Sequence, residues 1–130
     1  MKNIFLTTGI LLLMFSCTAQ KENKSSSLSM KPKEFNTAMQ QDKDFILLDC
    51  RTPEEVSEGA LDGNVNINFH SDDYKQQLDK LDKNKTVYIY CRSGNRSHKS
   101  VVMMEEMKFK KVVELDGGIV AWKEEGLPVK

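Results

Sequence analysis

Two rhythms of apolar and polar residues alternate along most of this chain. Phe45-Ile46-Leu47-Leu48, Thr86-Val87-Tyr88-Ile89-Tyr90 and Lys111-Val112-Val113-Glu114-Leu115 are short, nearly continuous apolar runs, the pattern of strands buried on both faces. Val65-Asn66-Ile67-Asn68-Phe69 alternates with period two and predicts a fourth strand over residues 65–69. Between these runs the period becomes helical. Residues 33–41 set Phe35, Ala38 and Met39 on one face, residues 72–81 do the same with Tyr74, Leu78 and Leu81, and residues 97–108 with Val101, Met104 and Met107. A short helix over 54–58 is announced by Thr52 as N-cap and Pro53 in the first turn, and is closed by Gly59. Asp116-Gly117-Gly118 turns the chain into a last helix over 119–125, which stops at Gly126. Strands and helices in alternation with short connections predict one α/β domain over residues 30–130, a central, mainly parallel sheet with helices on both faces.

The first residues follow neither rhythm. Lys2 precedes Ile4-Phe5-Leu6 and then Gly9-Ile10-Leu11-Leu12-Leu13-Met14-Phe15, an apolar run shorter than the roughly 20 residues a membrane-spanning helix needs. It fits the apolar core of a secretory signal peptide over residues 1–16. The run ends in Ser16-Cys17, which resembles the lipobox of bacterial lipoproteins although Met14 stands where leucine is commonest. The resemblance implies cleavage before Cys17, acylation there, and a lipid anchor that holds the protein to a membrane of the cell envelope, facing the periplasm or the surface. Residues 17–29 are polar and rich in Ser and Lys, and are expected to be a flexible tether because they bury too little to offset their own ordering.

Composition narrows the function classes. At 130 residues, 39% hydrophobic and 29% charged, the chain is long enough for one modest core. A formal net charge of zero, with no long basic run, removes the usual case for nucleic acid. No His and Cys share a metal-ligand spacing, so no metal and no cofactor are expected, and the domain is expected to be monomeric.

The chemistry concentrates in Cys91-Arg92-Ser93-Gly94-Asn95-Arg96-Ser97. Here a buried strand stops at a cysteine and a short polar loop opens a helix. Backbone N–H groups of such a loop converge on one spot, and the helix N-terminus adds partial positive charge there. Arg92 and Arg96 add full charges. A thiol in that field ionises below its ordinary value of about 8.5. The local expectation is a nucleophilic thiolate at Cys91 inside an anion cradle.

Three stretches together resemble the rhodanese family at single-domain size, over roughly residues 29–130. They are Leu48-Asp49-Cys50-Arg51-Thr52-Pro53-Glu54-Glu55, the cysteine loop itself, and Leu115-Asp116-Gly117-Gly118-Ile119-Val120-Ala121-Trp122 continuing to Gly126-Leu127-Pro128-Val129. The resemblance implies the family's α/β fold and a sulfurtransferase activity. Cys91 would take a sulfane sulfur from a small donor such as thiosulfate, hold it as a persulfide, and yield it to a thiophilic acceptor such as cyanide, a thiol or a protein thiol. Main-chain N–H groups from Arg92, Ser93, Gly94, Asn95, Arg96 and Ser97 would stabilise the outer sulfur, with Gly94 allowing the tight turn. Arg92 and Arg96 would receive the donor's oxyanion, and Ser97 would cap the helix and bond within the loop. The chain departs from the family at Ala60-Leu61-Asp62-Gly63-Asn64, where a histidine is common, and at Cys50, where an aliphatic residue is usual.

Two other functions fit the same scaffold. Four residues separate Cys91 from Arg96, whereas related cysteine phosphatases use five, with His where this chain has Tyr90. The shorter loop favours a single sulfur atom over a phosphoryl or arsenate group. A binding module or a persulfide carrier without fast turnover is the other alternative; retention of Cys91 and both arginines argues against a purely structural role.

Blander roles are expected elsewhere. Asp49, Arg51 and Glu55 read as an ion pair with helix caps supporting the site, Asp116 as a turn residue, His98 as a solvated or capping side chain, and the methionines of residues 97–108 as core. Trp122 reads as the anchor of the last helix, with an indole N–H that needs a partner. Cys50 reads as a small buried hydrophobe, with a disulfide to Cys91 as the alternative in an oxidising envelope.

Overall fold

The computed structural model describes residues 24–130. The signal-peptide and lipidation expectations for residues 1–16 and Cys17 lie outside the described residues. Five strands form one wholly parallel sheet in the order β1-β5-β4-β2-β3. In chain order the elements are β1 (Ser26–Met30), α1 (Pro32–Gln41), β2 (Phe45–Asp49), α2 (Pro53–Ser57), β3 (Val65–Asn66), α3 (Tyr74–Asp79), β4 (Thr86–Tyr90), α4 (Asn95–Glu106), β5 (Lys111–Leu115) and α5 (Gly118–Glu124). The α/β layering predicted from the two rhythms is the one observed.

The sheet divides the core in two because successive strand residues face opposite sides. Leu48, Cys50, Ile89, Cys91 and Val112 pack on one face with Tyr74 and Leu78 of α3 and Val101 and Met104 of α4. Leu47, Tyr88, Tyr90, Val113 and Leu115 pack on the other with Phe35 of α1 and Ile119 and Trp122 of α5. Phe35 meets Tyr88 and Trp122 edge-on, at centroid distances of 5.3 and 6.3 Å, an edge-to-face geometry that ring quadrupoles favour. The Trp122 indole finds its partner locally, donating to the Pro128 carbonyl at 2.9 Å.

The expected tether is corrected at its end: the domain begins at Ser26, not at Met30. β1 pairs with β5 from Ser26↔Lys111 to Met30↔Leu115. Four of its five residues are exposed, so it is an edge strand held mainly by backbone hydrogen bonds, and no apolar pattern announces it. The predicted strand 65–69 contracts to Val65–Asn66, yet the chain keeps tracking β2. Ile67 and Phe69 donate backbone N–H groups to the carbonyls of Asp49 and Cys50 at 3.0 and 3.1 Å. The predicted helix 72–81 contracts to Tyr74–Asp79.

Candidate active site at the Cys91 loop

Parallel β4 delivers Cys91 to the carboxyl edge of the sheet, where ligands of open α/β sheets bind. Cys91 is the first residue past the strand and is 1% exposed. The loop turns at Gly94, whose φ of 106° lies in the left-handed region that glycine tolerates. Helix α4 consequently starts at Asn95, two residues before the predicted start, and Gly94 rather than Ser97 is its N-cap. Ser97 instead is the third residue of the helix, fully buried, with its hydroxyl 3.5 Å from the Cys91 sulfur and within bonding distance of the Gly94 carbonyl at 3.1 Å.

The sulfur is ringed by donors. The Gly94 N–H donates to Cys91 Sγ at 3.1 Å. The Cys91 thiol is drawn down to about 4: the Cys50 thiol donating to it is the largest cause, burial works against it, and the Ser97 hydroxyl and the Ser97 and Gly94 N–H groups add to the pull. The same contact acts in reverse on Cys50. Cys91 and burial together hold the proton on Cys50 and push its thiol far up. Both cysteines are free thiols.

The loop is clamped from behind by α5. Ile119 and Val120 donate N–H groups to the carbonyls of Cys91 and Arg92 at 2.9 and 3.1 Å. With these carbonyls turned toward α5, the Gly94 and Ser97 N–H groups are the ones directed at the sulfur. The close approach requires Gly118: a β-carbon there would stand 2.6 Å from the Cys91 carbonyl oxygen, and φ is +61°. This is the physical content of the Gly117-Gly118 stretch.

The β2 turn braces the loop from the side. Asp49, fully buried, receives the Arg51 guanidinium through Nε at 3.0 Å and Nη2 at 2.7 Å. Arg51 also donates to the Gly59 carbonyl at 2.8 Å and lies over the Tyr90 ring. Thr52 and Glu55 form a capping box on α2. Glu55 then takes both arms of Arg96, at 2.7 and 2.8 Å. Arg96 is the largest cause holding the Glu55 carboxyl down to about 2; partial burial opposes it and the Thr52 N–H assists. Arg96 is therefore engaged by a carboxylate, while Arg92, Ser93 and Asn95 are exposed at the loop rim.

Glu114 carries no sign of a site role in the sequence, where it is one polar residue in a strand. Its carboxylate, in a residue only 8% exposed, lies 3.2 Å from the Ser97 hydroxyl oxygen, an alternative acceptor to the Cys91 sulfur and the Gly94 carbonyl for that hydroxyl's one proton, and 3.3 Å from His98 Nδ1. Strand order alone brings it here, through the β4–β5 pairing Ile89↔Glu114. Two clefts flank the loop. One of about 390 Å³ includes Ser93, Gly94, His98 and Glu114, and the other, of about 360 Å³, includes Arg51, Glu55, Arg92 and Lys123. The arrangement can hold a thiolate, or the same sulfur extended by one atom, against a ring of fixed donors.

Comparison with known proteins agrees with this geometry. The sequence profile of the rhodanese-like domain matches residues 31–125. A sulfurtransferase of Allochromatium vinosum is 33% identical over 67% of this chain and 79% of its own length. YtwF of Bacillus subtilis is 36% identical over 76% of this chain and 98% of its own. A tRNA uridine(34) hydroxylase of Pelagibacter ubique is 34% identical over 78% of this chain, a match that spans 33% of that protein. Among solved structures, a rhodanese-like domain protein of Staphylococcus aureus superposes with a TM-score of 0.66 at 31% identity, over 78% of this chain and 97% of that one. With a matching profile across the domain, a cysteine loop closed by a glycine-dependent clamp and a sulfurtransferase among its relatives, this chain belongs to the rhodanese-like domain family.

Proposed function

We propose that this protein is a persulfide-forming sulfurtransferase of the thiosulfate type. The observation that carries the reading is the Cys91 sulfur itself, nearly buried and ringed by the Gly94 N–H and the Ser97 hydroxyl and N–H. The thiolate attacks the outer sulfur of a donor such as thiosulfate; sulfite leaves with the electron pair of the broken S–S bond, and Cys91 carries the sulfane sulfur. The loop N–H groups then face the terminal persulfide anion. An acceptor nucleophile, such as cyanide, a thiol or a protein thiol, attacks that outer sulfur and returns Cys91 to thiolate.

The donor's oxyanion is assigned to Arg92 at the exposed rim, because Arg96 is taken by Glu55. That engagement also favours a second reading, a persulfide carrier whose acceptor is a protein thiol and whose turnover on thiosulfate is slow.

The test is measurement of the sulfite released when the full chain is incubated with thiosulfate. The expected result is about one sulfite per chain, and none in Cys91→Ser. If the wild-type chain releases no sulfite, the thiosulfate reading fails.

The sequence also supports a lipoprotein setting. Residues 1–16 act as the signal peptide, Cys17 as the acylated anchor, and the cell envelope as the location. Radiolabelled palmitate should label the full-length protein in cells and fail to label Cys17→Ser; equal labelling of both removes the anchor.

A further inference from the structure

Cys50 is a buried nucleophile that the transfer reaction leaves unused. β2 and β4 are adjacent and parallel, with Asp49 paired to Tyr90, so Cys50 and Cys91 are the next pair in register. Both side chains lie on the same sheet face, in the cluster that holds Leu48 and Ile89. The Cys50 N–H still donates to the Tyr90 carbonyl at 3.1 Å, which keeps the two chains at sheet spacing beyond the strand ends. Neighbouring strands run about 4.8 Å apart, inside the range of about 4.4–6.8 Å between α-carbons that a disulfide spans. The Cys50 thiol donates to the Tyr90 carbonyl at 3.4 Å, and it also interacts with the Cys91 sulfur closely enough to lower that thiol. Two hydroxyls stand beside it: Tyr74 and Ser100 touch at 2.7 Å, and Ser100 favours the charged form of Cys50.

We infer that Cys50 is a resolving nucleophile that discharges the Cys91 persulfide within the chain, releasing sulfide and leaving a Cys50–Cys91 disulfide. This rests on the persulfide chemistry proposed above and names an acceptor for it. The Cys50 sulfur attacks the inner sulfur of the persulfide, the inner–outer S–S bond breaks, and the outer sulfur leaves as hydrosulfide carrying the proton that Cys50 gives up. The two cysteines are oxidised by two electrons, which depart on the sulfide. A dithiol reductant restores both thiols and closes the cycle.

Position selects the inner sulfur. Cys50 adjoins Cys91 Sγ across the sheet, whereas the outer sulfur faces the loop donors. Charge gates the step. While Cys91 is a thiolate, it keeps Cys50 protonated. Once sulfur is loaded, the negative charge moves to the outer atom and the inner sulfur becomes an electrophile. The resting protein therefore holds two free thiols side by side, and the loaded protein holds a reactive pair.

The experiment uses the full chain in a Cys17→Ser background, fully reduced, freed of thiol and of oxygen, with thiosulfate and, separately, inorganic polysulfide as sulfur source. Sulfite and sulfide are measured, and alkylated protein is weighed without reduction. The expected result with thiosulfate is about one sulfide per chain together with a loss of two hydrogens, mapped to a Cys50–Cys91 linked peptide. Cys50→Ser, which keeps a hydroxyl donor toward Cys91, should retain the added sulfur and release no sulfide; Cys50→Ala should do the same, and agreement of the two separates lost chemistry from disturbed packing. Sulfite release with a persulfide equally stable in wild type and Cys50→Ser overturns the resolving role and leaves the sulfurtransferase reading standing. Discharge from polysulfide-loaded protein without any reaction with thiosulfate supports the resolving role and overturns the donor. No sulfur gain and no sulfide from either source overturns both.

Discussion

Cys50 and Cys91 are the same residue type, each the first residue past one of two neighbouring strands, both essentially without solvent exposure, and their thiols are driven in opposite directions. The largest cause is the pair itself, with Cys50 donating toward Cys91, which lowers one thiol and raises the other; the way the chain leaves each strand adds to the split. After β4 it turns at a left-handed glycine, and the Gly94 and Ser97 N–H groups at the helix start face the sulfur. After β2 the corresponding donors are spent elsewhere: the Arg51 N–H goes to Asp49 Oδ1 at 3.0 Å and the Thr52 N–H to Glu55 Oε2 at 3.0 Å. One strand end concentrates positive potential on a thiol, and the other consumes it in an internal brace. The acidity of Cys91 follows from its neighbouring thiol first and its connection second, against the effect of burial.

The comparison assigns stability to the β2 turn and chemistry to the β4 loop, and Arg51→Met tests that division most severely. It strands the buried Asp49 carboxylate and the Gly59 carbonyl that Arg51 now satisfies. Removing one partner of a buried ion pair costs about 3–5 kcal/mol, to be read from urea unfolding. Sulfur loading per folded molecule should persist; loss of loading at full stability would reverse the assignment. Gly118→Ala attacks the β4 loop from behind. Strain at positive φ and the clash with the Cys91 and Arg92 carbonyls should cost about 2–3 kcal/mol and, unlike Arg51→Met, abolish loading in the protein that still folds.

These expectations rest on features of unequal visibility. The α/β layering, β4, the cysteine loop and the Gly117-Gly118 turn are local, since each is written in consecutive residues whose period or chemistry is distinctive. β1 escapes because an exposed edge strand such as Ser26–Met30 has no buried face to pattern. The start of α4 at Asn95 escapes because it is set by Gly94 in a left-handed conformation, which displaces Ser97 from the cap to the sulfur. Glu114 beneath the loop and the engagement of Arg96 by Glu55 depend on strand order and on contacts between residues 41 apart in sequence. The adjacency of Cys50 and Cys91 is of the same kind. It requires β2 to lie beside β4 although α2, β3 and α3 intervene in the chain.

Cys50→Ala sharpens the contrast between the two thiols directly. The Cys50 thiol is the largest cause of the low Cys91 value of about 4, so its removal should move the pH midpoint of iodoacetamide alkylation at Cys91 upward. In wild type the rate should hold nearly constant from pH 8 to pH 6. In the variant it should fall across that range as thiolate is lost. An unchanged profile would show that the loop donors alone set the acidity, and would break the link between the two strand ends.

Glu55→Gln carries the smallest expected effect and tests the bridge that joins the β2 turn to α4. Glu55 has a folded value of about 2 against an ordinary 4.5. A carboxyl depressed in the folded state contributes stability that is complete above its unfolded value and disappears as pH falls through the folded one. The contribution is thus present above about pH 4.5 and lost toward pH 2. With the carboxylate 27% exposed, solvent screening reduces it to about 1 kcal/mol. Glu55→Gln should unfold at lower urea than wild type at pH 7, and the two midpoints should converge as the pH is lowered from 5 toward 2. A difference that stays constant over that interval would mean that the amide's geometry, and not the lost charge, separates the two proteins. The Arg96–Glu55 pair would then be a positional clamp on α4, with its electrostatic attraction cancelled by the cost of drawing both groups from water.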